Sequence, residues 1–205
     1  MADSTTEVAV LGAGSWGTAL AKHLADQGHP TKLWSRRPEQ AAHIQAHRTN
    51  PDYLNGVELP PTLSATADLE EAVAGARTVV VVVPTEGNRP LLEQLAPLVP
   101  EGVPVVSATK GIEQGTLMLV SEIFEDVFRA ERHGALTYLG GPSFAREVAA
   151  GVPTAVSVAG HDEAMRTRVQ ELFNTPRFRV YTTPDVIGVE VGGALKNVIA
   201  IAAGV

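Results

Sequence analysis

Three closely spaced glycines, Gly12, Gly14 and Gly17, restrict most strongly what this chain can fold into. They form a G-x-G-x-x-G pattern between the apolar run 8–11 and a helical pattern over 16–27. In such a unit the first glycine permits a tight turn, the second lets backbone approach a pyrophosphate, and the third lets helix and strand pack closely. The free amides that begin the helix also favour an anion. The pattern therefore predicts a dinucleotide-binding turn.

The rest of the chain continues the alternation of strands and helices. Strands are predicted at 31–35, 78–83, 104–108, 136–139, 154–159 and 177–182, and helices at 38–47, 68–74, 89–98, 116–131, 143–150 and 161–174. Segment 49–66 is expected to be a loop with one strand at most. The valine run 79–83 is typical of a central parallel strand buried on both faces. The alternation predicts an α/β, Rossmann-type fold with a doubly wound, mostly parallel sheet over residues 1–183.

From residue 184 the pattern changes to one long helix, rich in glycine and alanine, that extends to the last residue. Segment 195–205 is apolar and needs a partner to cover it. Either two chains pair through this helix as a homodimer, or the chain is a fragment of a longer protein. We expect the fragment, with 184–205 as the first helix of a missing all-α C-terminal domain.

Composition excludes several classes of partner and chemistry. The net charge of -7 argues against nucleic acid or an anionic membrane surface, which attract clustered Lys and Arg. The absence of cysteine excludes disulfides, thiolate metal sites and cysteine nucleophiles. No apolar run approaches the roughly 20 residues that a bilayer requires, and segment 1–7 does not resemble a signal peptide. We expect a cytoplasmic protein without membrane insertion.

The residues that follow the second predicted strand indicate the coenzyme. NAD sites usually place an acid there, which accepts hydrogen bonds from the ribose 2′-hydroxyl. Here Arg36 and Arg37 follow the strand, and the first acid is Glu39. Guanidinium groups bind phosphate bidentately and stack on adenine. The alternative is an exposed basic helix start, but cations there oppose the helix dipole. We predict NADP as the preferred coenzyme, with NAD also accepted.

Two lysines are candidates for catalysis. Lys110 follows strand 104–108, at the edge where parallel sheets bind ligands. Lys196 lies in the apolar helix, with Gly192 and Gly193 one turn earlier leaving space for a ligand or another backbone. The alternative for Lys110 is an ordinary surface lysine in a loop. The alternative for Lys196 is a lysine whose aliphatic stem lies along the apolar surface while its ammonium reaches solvent. A desolvated lysine beside a second cation can act as a general base. We therefore expect Lys110 and Lys196 to face one pocket.

A glycine pair at 140–141, followed by Pro142 and Ser143, is the third feature. Backbone amides and the Ser143 hydroxyl at a helix start could bind an anion or a hydroxyl. Taken alone, these residues favour the simpler interpretation of Ser143 as a helix N-cap.

A metal site has little support in the sequence. His43 and His47 have the i, i+4 spacing of a two-histidine site, but no third ligand is indicated. We interpret them as a solvated helix face and predict no metal.

Four segments together resemble the bacterial NAD(P)-dependent glycerol-3-phosphate dehydrogenases. They are 12–21, 108–111, 141–145 and 192–201, in order and over nearly the whole chain. The resemblance implies reversible hydride transfer between sn-glycerol 3-phosphate and NADP(H) or NAD(H), with dihydroxyacetone phosphate as the other product, in the service of phospholipid synthesis.

The resemblance also implies roles for individual residues. The coenzyme would be contacted by Ser15, Trp16, Arg36, Arg37 and Ala145. Lys110 would contact both coenzyme and substrate, and the substrate would also be held by Gly141 and Ser143. Lys196 would accept the proton. The turn 85–89 departs from the family pattern, so no role is carried over there. The family also has a helical C-terminal domain that completes the substrate site, and the chain has no counterpart. We therefore expect coenzyme binding, while turnover by the chain alone is doubtful.

Two other functions stay open at this point. One is a non-catalytic NADP-binding module, which the missing domain favours. The other is a related lysine-dependent reductase or β-hydroxyacid dehydrogenase, because those enzymes also place a lysine on the helix after the Rossmann domain.

Overall fold

The computed structural model describes residues 5–204, without the side chain of Asn197. Within that range the strands are β1 (Val8–Leu11), β2 (Thr31–Trp34), β3 (Leu63–Thr66), β4 (Thr78–Val81), β5 (Val105–Ser107), β6 (Leu136–Gly140), β7 (Thr154–Gly160) and β8 (Phe178–Thr183). The helices are α1 (Ser15–Asp26), α2 (Pro38–His47), α3 (Pro51–Leu54), α4 (Leu69–Val73), α5 (Thr85–Leu95), α6 (Val120–Val127), α7 (Ala145–Ala149), α8 (Glu163–Phe173) and α9 (Val186–Ala203), and a 3-10 helix covers Ala130–Ala135.

All eight strands belong to one sheet in the order β3-β2-β1-β4-β5-β6-β7-β8. Every neighbouring pair is parallel except β6 and β7. The first six strands have the Rossmann order, in which the chain reverses direction across the sheet between β1 and β4. The predicted doubly wound, mostly parallel fold is confirmed. Its carboxyl edge collects the turns after β1, β2, β5 and β6, where ligands bind in such sheets.

Both faces of the sheet are covered, as the valine run indicated. Val80 packs into a core with Leu20 and Phe173, on the side of α1 and α8. Val79 and Val81 pack into a second core on the side of α5 and α6. Strand β4 is buried at every position and ends at Val81, two residues before the end of the run.

Several element boundaries differ from the sequence predictions. Helix α5 begins at Thr85 rather than 89 and contains Pro90. Helix α6 is much shorter than the predicted 116–131: Leu117 has a φ of 61°, and a bridge between Ile112 and Leu119 makes the preceding segment a turn. Segment 49–66 holds the one-turn helix α3 as well as β3. In α6, tertiary contacts outweighed the local helical periodicity.

Helix α9 packs its first half against β6 and β7. Its second half exposes apolar side chains, among them Val198, Ile199 and Ile201. Val205, to which the predicted helix extended, lies outside the described residues. Among the residues that are described, no helix combines the length and apolar character needed to cross a membrane. That residues 184–205 begin a second domain stays a prediction.

Candidate active site

The turn between β1 and α1 has room only for glycine at two positions. Gly12 has a φ of +127°, and a Cβ there would lie 2.1 Å from the Val82 carbonyl oxygen. A Cβ at Gly17 would lie 1.8 Å from the Gly12 carbonyl oxygen, so Gly17 brings α1 against the turn. Gly14 differs, since a Cβ there meets nothing within 4 Å. Gly12 and Gly17 thus allow the tight packing of the turn, and Gly14 leaves an open space beside it.

This open space suits a diphosphate. Gly14 is the N-cap of α1, and no side chain caps the helix, so its first-turn amides are not occupied by a cap. Those amides carry the positive end of the helix dipole. A backbone donor set beside an uncrowded glycine fits the pyrophosphate of a dinucleotide.

Two buried amide side chains hold the turn in place from beneath. The Ala13 carbonyl oxygen accepts hydrogen bonds from Gln40 Nε2 at 2.8 Å and from Asn50 Nδ2 at 2.9 Å. Asn50 Nδ2 also donates to Thr18 Oγ1 at 2.8 Å. The turn, α2 and the start of α3 therefore form one hydrogen-bonded unit. Sequence reasoning missed both amides, because nothing local marks them as buried.

The two arginines after β2 lie in different electrostatic surroundings. Arg36 is exposed, and within residues 5–204 no carboxylate lies within ion-pair distance of it. Arg37 is paired: its Nη2 lies 2.9 Å from Asp52 Oδ2, and its guanidinium lies 5.5 Å from the centre of the Tyr53 ring. The hydrogen bond to Asp52 raises the pKa of Arg37 further above its already high ordinary value.

Lys110 connects the glycine turn to the strand β6. Its Nζ donates to the Gly141 carbonyl oxygen at 3.1 Å and lies 5.8 Å from the centre of the Trp16 ring. Its loop is held by Thr85 Oγ1, which donates to the Lys110 carbonyl oxygen at 3.2 Å. Burial, and secondarily the charge of Lys196, lower the pKa of Lys110 below the ordinary lysine value. The cavity that Lys110 lines includes Gly193 of α9 but not Lys196, so the expectation that the two lysines face one pocket stays a prediction.

Lys196 approaches from α9, whose position depends on two glycines. A Cβ at Gly140 would lie 2.6 Å from Val189 Cγ1, so only glycine lets α9 pack so closely on β6. A Cβ at Gly193 would be 3.9 Å from Lys110 Cγ, which places this face of α9 beside Lys110. The Lys196 ammonium lies 5.0 Å from the centre of the exposed Phe144 ring. A cation over an aromatic face is stabilised electrostatically.

The segment after β6 differs in part from the sequence interpretation. Helix α7 begins at Ala145, with Phe144 as N-cap, so Ser143 is not the cap. Ser143 Oγ donates weakly to the Gly141 carbonyl oxygen at 3.5 Å. Gly141 has a φ of +146°, a value that L side chains rarely adopt. The carbonyl of Gly141 thus faces Lys110 and Ser143 together, while Ala145 packs towards the core that includes α1.

A half-buried carboxyl group anchors α9, and sequence reasoning missed it. Glu190 Oε1 accepts from the Ser121 amide at 2.8 Å, and Glu190 Oε2 accepts from Ser121 Oγ at 2.5 Å. Burial raises the pKa of Glu190 above its usual range, although the bonds from Ser121 act in the opposite direction. Glu190 lines the same small cavity as Lys110, Gly193 and Tyr138. Its only sequence signal is an acid in an apolar helix, six residues before Lys196.

His43 and His47, interpreted from the sequence as a solvated helix face, lie next to each other on α2. His43 and His47 lie with ring centres 4.6 Å apart, and His43 Nε2 is 3.2 Å from Thr49 Oγ1. In the part of the chain that the structure describes, no group of three or more His, Asp or Glu side chains is placed to hold a metal ion.

Fold and site together define a class. A Rossmann sheet with an uncapped glycine turn at its carboxyl edge defines a dinucleotide-binding domain. Comparison with known families specifies the class further. The model described as "NAD-dependent glycerol-3-phosphate dehydrogenase N-terminus" matches residues 7–166, and the corresponding C-terminus model matches residues 185–205. The chain belongs to the NAD-dependent glycerol-3-phosphate dehydrogenase family.

Individual relatives agree with this assignment. Glycerol-3-phosphate dehydrogenase [NAD(P)+] 2 of Mycobacterium tuberculosis is 50% identical over 204 residues, which are 100% of this chain and 61% of that protein. The crystal structure of glycerol-3-phosphate dehydrogenase from Coxiella burnetii has a TM-score of 0.89 at 37% identity, covering 98% of this chain and 60% of the other. The chain thus spans about 60% of the length of the relatives it matches.

The related reductase considered from the sequence is similar in fold alone. A ketopantoate reductase structure from Ralstonia eutropha has a TM-score of 0.66 at 19% identity, covering 90% of this chain and 58% of the other.

Proposed function

We propose that the protein is an oxidoreductase that interconverts sn-glycerol 3-phosphate and dihydroxyacetone phosphate, using NADP(H) in preference to NAD(H). Its product would supply phospholipid synthesis. The observation that carries this proposal is the position of Lys110, whose ammonium touches the Gly141 carbonyl and faces the Trp16 ring. One cation thereby joins the glycine turn, where a coenzyme would lie, to the segment before α7, where a substrate would lie.

The coenzyme side of the site is built from the turn outward. The first-turn amides of α1, including those of Ser15 and Trp16, would hold the diphosphate above Gly14. Arg36 and Arg37 would hold a 2′-phosphate, since guanidinium groups bind phosphate bidentately. Arg36 is exposed and has no ion-pair partner in the described part of the chain, which supports this role.

On the substrate side the two lysines would share the chemistry. A bound nicotinamide coenzyme would supply hydride-transfer chemistry at the carbon that bears the reacting oxygen. Lys196 would accept the proton of the secondary hydroxyl during oxidation and return it during reduction. Lys110 would donate a hydrogen bond to the same oxygen as charge develops on it. Gly141 and Ser143 would position the substrate, and Ala145 would contact the coenzyme.

The decisive experiment separates binding from turnover. Titration of the chain with NADPH and with NADH, followed through Trp16 fluorescence, measures coenzyme affinity. Oxidation of NADPH is then assayed with dihydroxyacetone phosphate and, as a control substrate, ketopantoate. We expect NADPH binding in wild type and in Lys196→Met, with any reductase activity lost in Lys196→Met. Turnover of ketopantoate alone would refute the substrate assignment.

A coenzyme-binding module without activity is the second candidate. Its support is that the uncapped start of α1 and the exposed Arg36, the residues proposed to hold the coenzyme, both lie within the described residues. Tight NADPH binding without reduction of dihydroxyacetone phosphate by these 205 residues would support it for this chain. Homodimer formation and a cytoplasmic location stay predictions from the sequence.

A further inference from the structure

We propose that Asp52 sets the coenzyme preference of this site, by competing with a 2′-phosphate for Arg37 and by serving as the acceptor for a 2′-hydroxyl. The inference rests on the proposed coenzyme binding and deepens it. Asp52 lies 15 positions from Arg37 in sequence, yet its Oδ2 is 2.9 Å from Arg37 Nη2.

Asp52 is held where it is by the turn itself. It is the second residue of α3, and α3 begins after Asn50, which is 1% exposed and bound to the Ala13 carbonyl oxygen. From the other end of α3, the Tyr53 carbonyl oxygen accepts a hydrogen bond from Ser15 Oγ at 2.7 Å. The carboxylate is therefore carried by backbone that is tied to the glycine turn at two points. Asp52 is therefore held beside Arg37, one of the two arginines proposed to bind the 2′-phosphate.

The pairing changes what Arg37 can offer to a phosphate. Its Nη2 is engaged by Asp52, its Nε lies 3.9 Å from Glu39 Oε1, and the Tyr53 ring lies beside the guanidinium. A 2′-phosphate that approached Arg37 would meet the negative charge of Asp52 within the same hydrogen-bonding range. Arg36 is then the cation that remains available to the phosphate.

The same carboxylate provides what the end of β2 lacks. In NAD sites an acid at that strand end accepts hydrogen bonds from the ribose 2′-hydroxyl. The sequence has Arg36 and Arg37 there, but α3 brings an acid, Asp52, to within 2.9 Å of the Arg37 guanidinium. A site with an available arginine and a neighbouring acid can accommodate either coenzyme, which fits relatives named for NAD(P)+.

The test uses Asp52→Asn in the 205-residue chain, with Glu39→Gln as the matched control and NADPH and NADH as probes. Asp52 is exposed, so the substitution removes the charge while preserving shape and fold. We expect Asp52→Asn to tighten NADPH about fivefold and to weaken NADH about twofold, so that the ratio of the two dissociation constants shifts about tenfold. Glu39→Gln should shift this ratio less than about twofold, because its 3.9 Å contact with Arg37 is longer.

A double-mutant cycle shows whether the effect passes through Arg37. In an Arg37→Ala background, Asp52→Asn should tighten NADPH less than it does in wild type, because no guanidinium is left to release and only the repulsion between Asp52 and the phosphate is removed. An unchanged ratio in Asp52→Asn would overturn the inference. Weaker NADPH binding would overturn it too, by showing that Asp52 orients Arg37 for the phosphate. If wild type binds neither coenzyme, the proposed function fails and this inference fails with it; binding by wild type with an unchanged ratio in Asp52→Asn defeats this inference alone.

Discussion

Alanine at Gly17 should lower the stability of the fold, whereas alanine at Gly14 should mainly weaken coenzyme binding, although both glycines belong to one turn. At Gly17 the new Cβ would lie 1.8 Å from the Gly12 carbonyl oxygen, a backbone atom that cannot rotate away. Ordinary contacts are about 3.5 Å or longer, so helix and turn must separate by about 1.7 Å. Overpacking of this kind costs about 3 kcal/mol. In a chain of this size that corresponds to a fall in Tm of roughly 6–12 °C.

At Gly14 an added methyl group has space. The backbone has a φ of -75°, which any residue adopts, and a Cβ would meet nothing within 4 Å. We expect Gly14→Ala to cost less than about 1 kcal/mol of stability, the usual range for an N-cap change. Its methyl would stand where backbone must approach the pyrophosphate, so NADPH binding should weaken about tenfold or more.

The two variants are compared by thermal melts without coenzyme and by calorimetric titration with NADPH. A Gly17→Ala protein as stable as wild type would refute the packing argument. A Gly14→Ala protein with undiminished NADPH affinity would show that the diphosphate lies elsewhere.

Three further predictions concern titration and buried polar groups. Because its pKa is lowered, Lys110 should lose its charge at a lower pH than an ordinary lysine does, and NADPH affinity should fall as the pH rises through that pKa. Lys196→Met removes the neighbouring charge, so it should move this fall in affinity to higher pH. NADPH titrations at a series of pH values measure both effects. Asn88 is fully buried and neither amide atom has a protein partner among the described residues, so Asn88→Leu should raise the unfolding free energy by about 1–2 kcal/mol in denaturant melts. Asn50→Leu, at a buried amide with partners, should lower it; equal effects would contradict the reasoning. Burial lowers the pKa of His23 below 6.5, so the folded state binds the proton less readily than the unfolded state does. The unfolding free energy should therefore be fully retained above pH 6.5 and should fall below it. In thermal melts across this pH range, His23→Gln should flatten the dependence.

The fold class and half of the site could be predicted from the sequence, because their signals are local. A glycine turn between an apolar strand and a helix predicts dinucleotide binding from about ten consecutive residues. The strand–helix alternation implies the parallel sheet. Lys110 could be placed at the ligand-binding edge because it follows a strand. Lys196 stood out as a charge within an apolar helix.

Side-chain partners distant in sequence were decided only by the tertiary structure. Glu190 and Ser121 are 69 residues apart, and they meet because β5 and β6 are neighbours in the sheet and bring α6 and α9 together. Helix α6 proved shorter than its periodicity suggested, since a bridge to Leu119 holds the preceding turn. Asp52 reaches Arg37 because Asn50 ties α3 to the turn. Local pattern determines which elements form, whereas charge pairing and burial depend on which elements the sheet order makes neighbours.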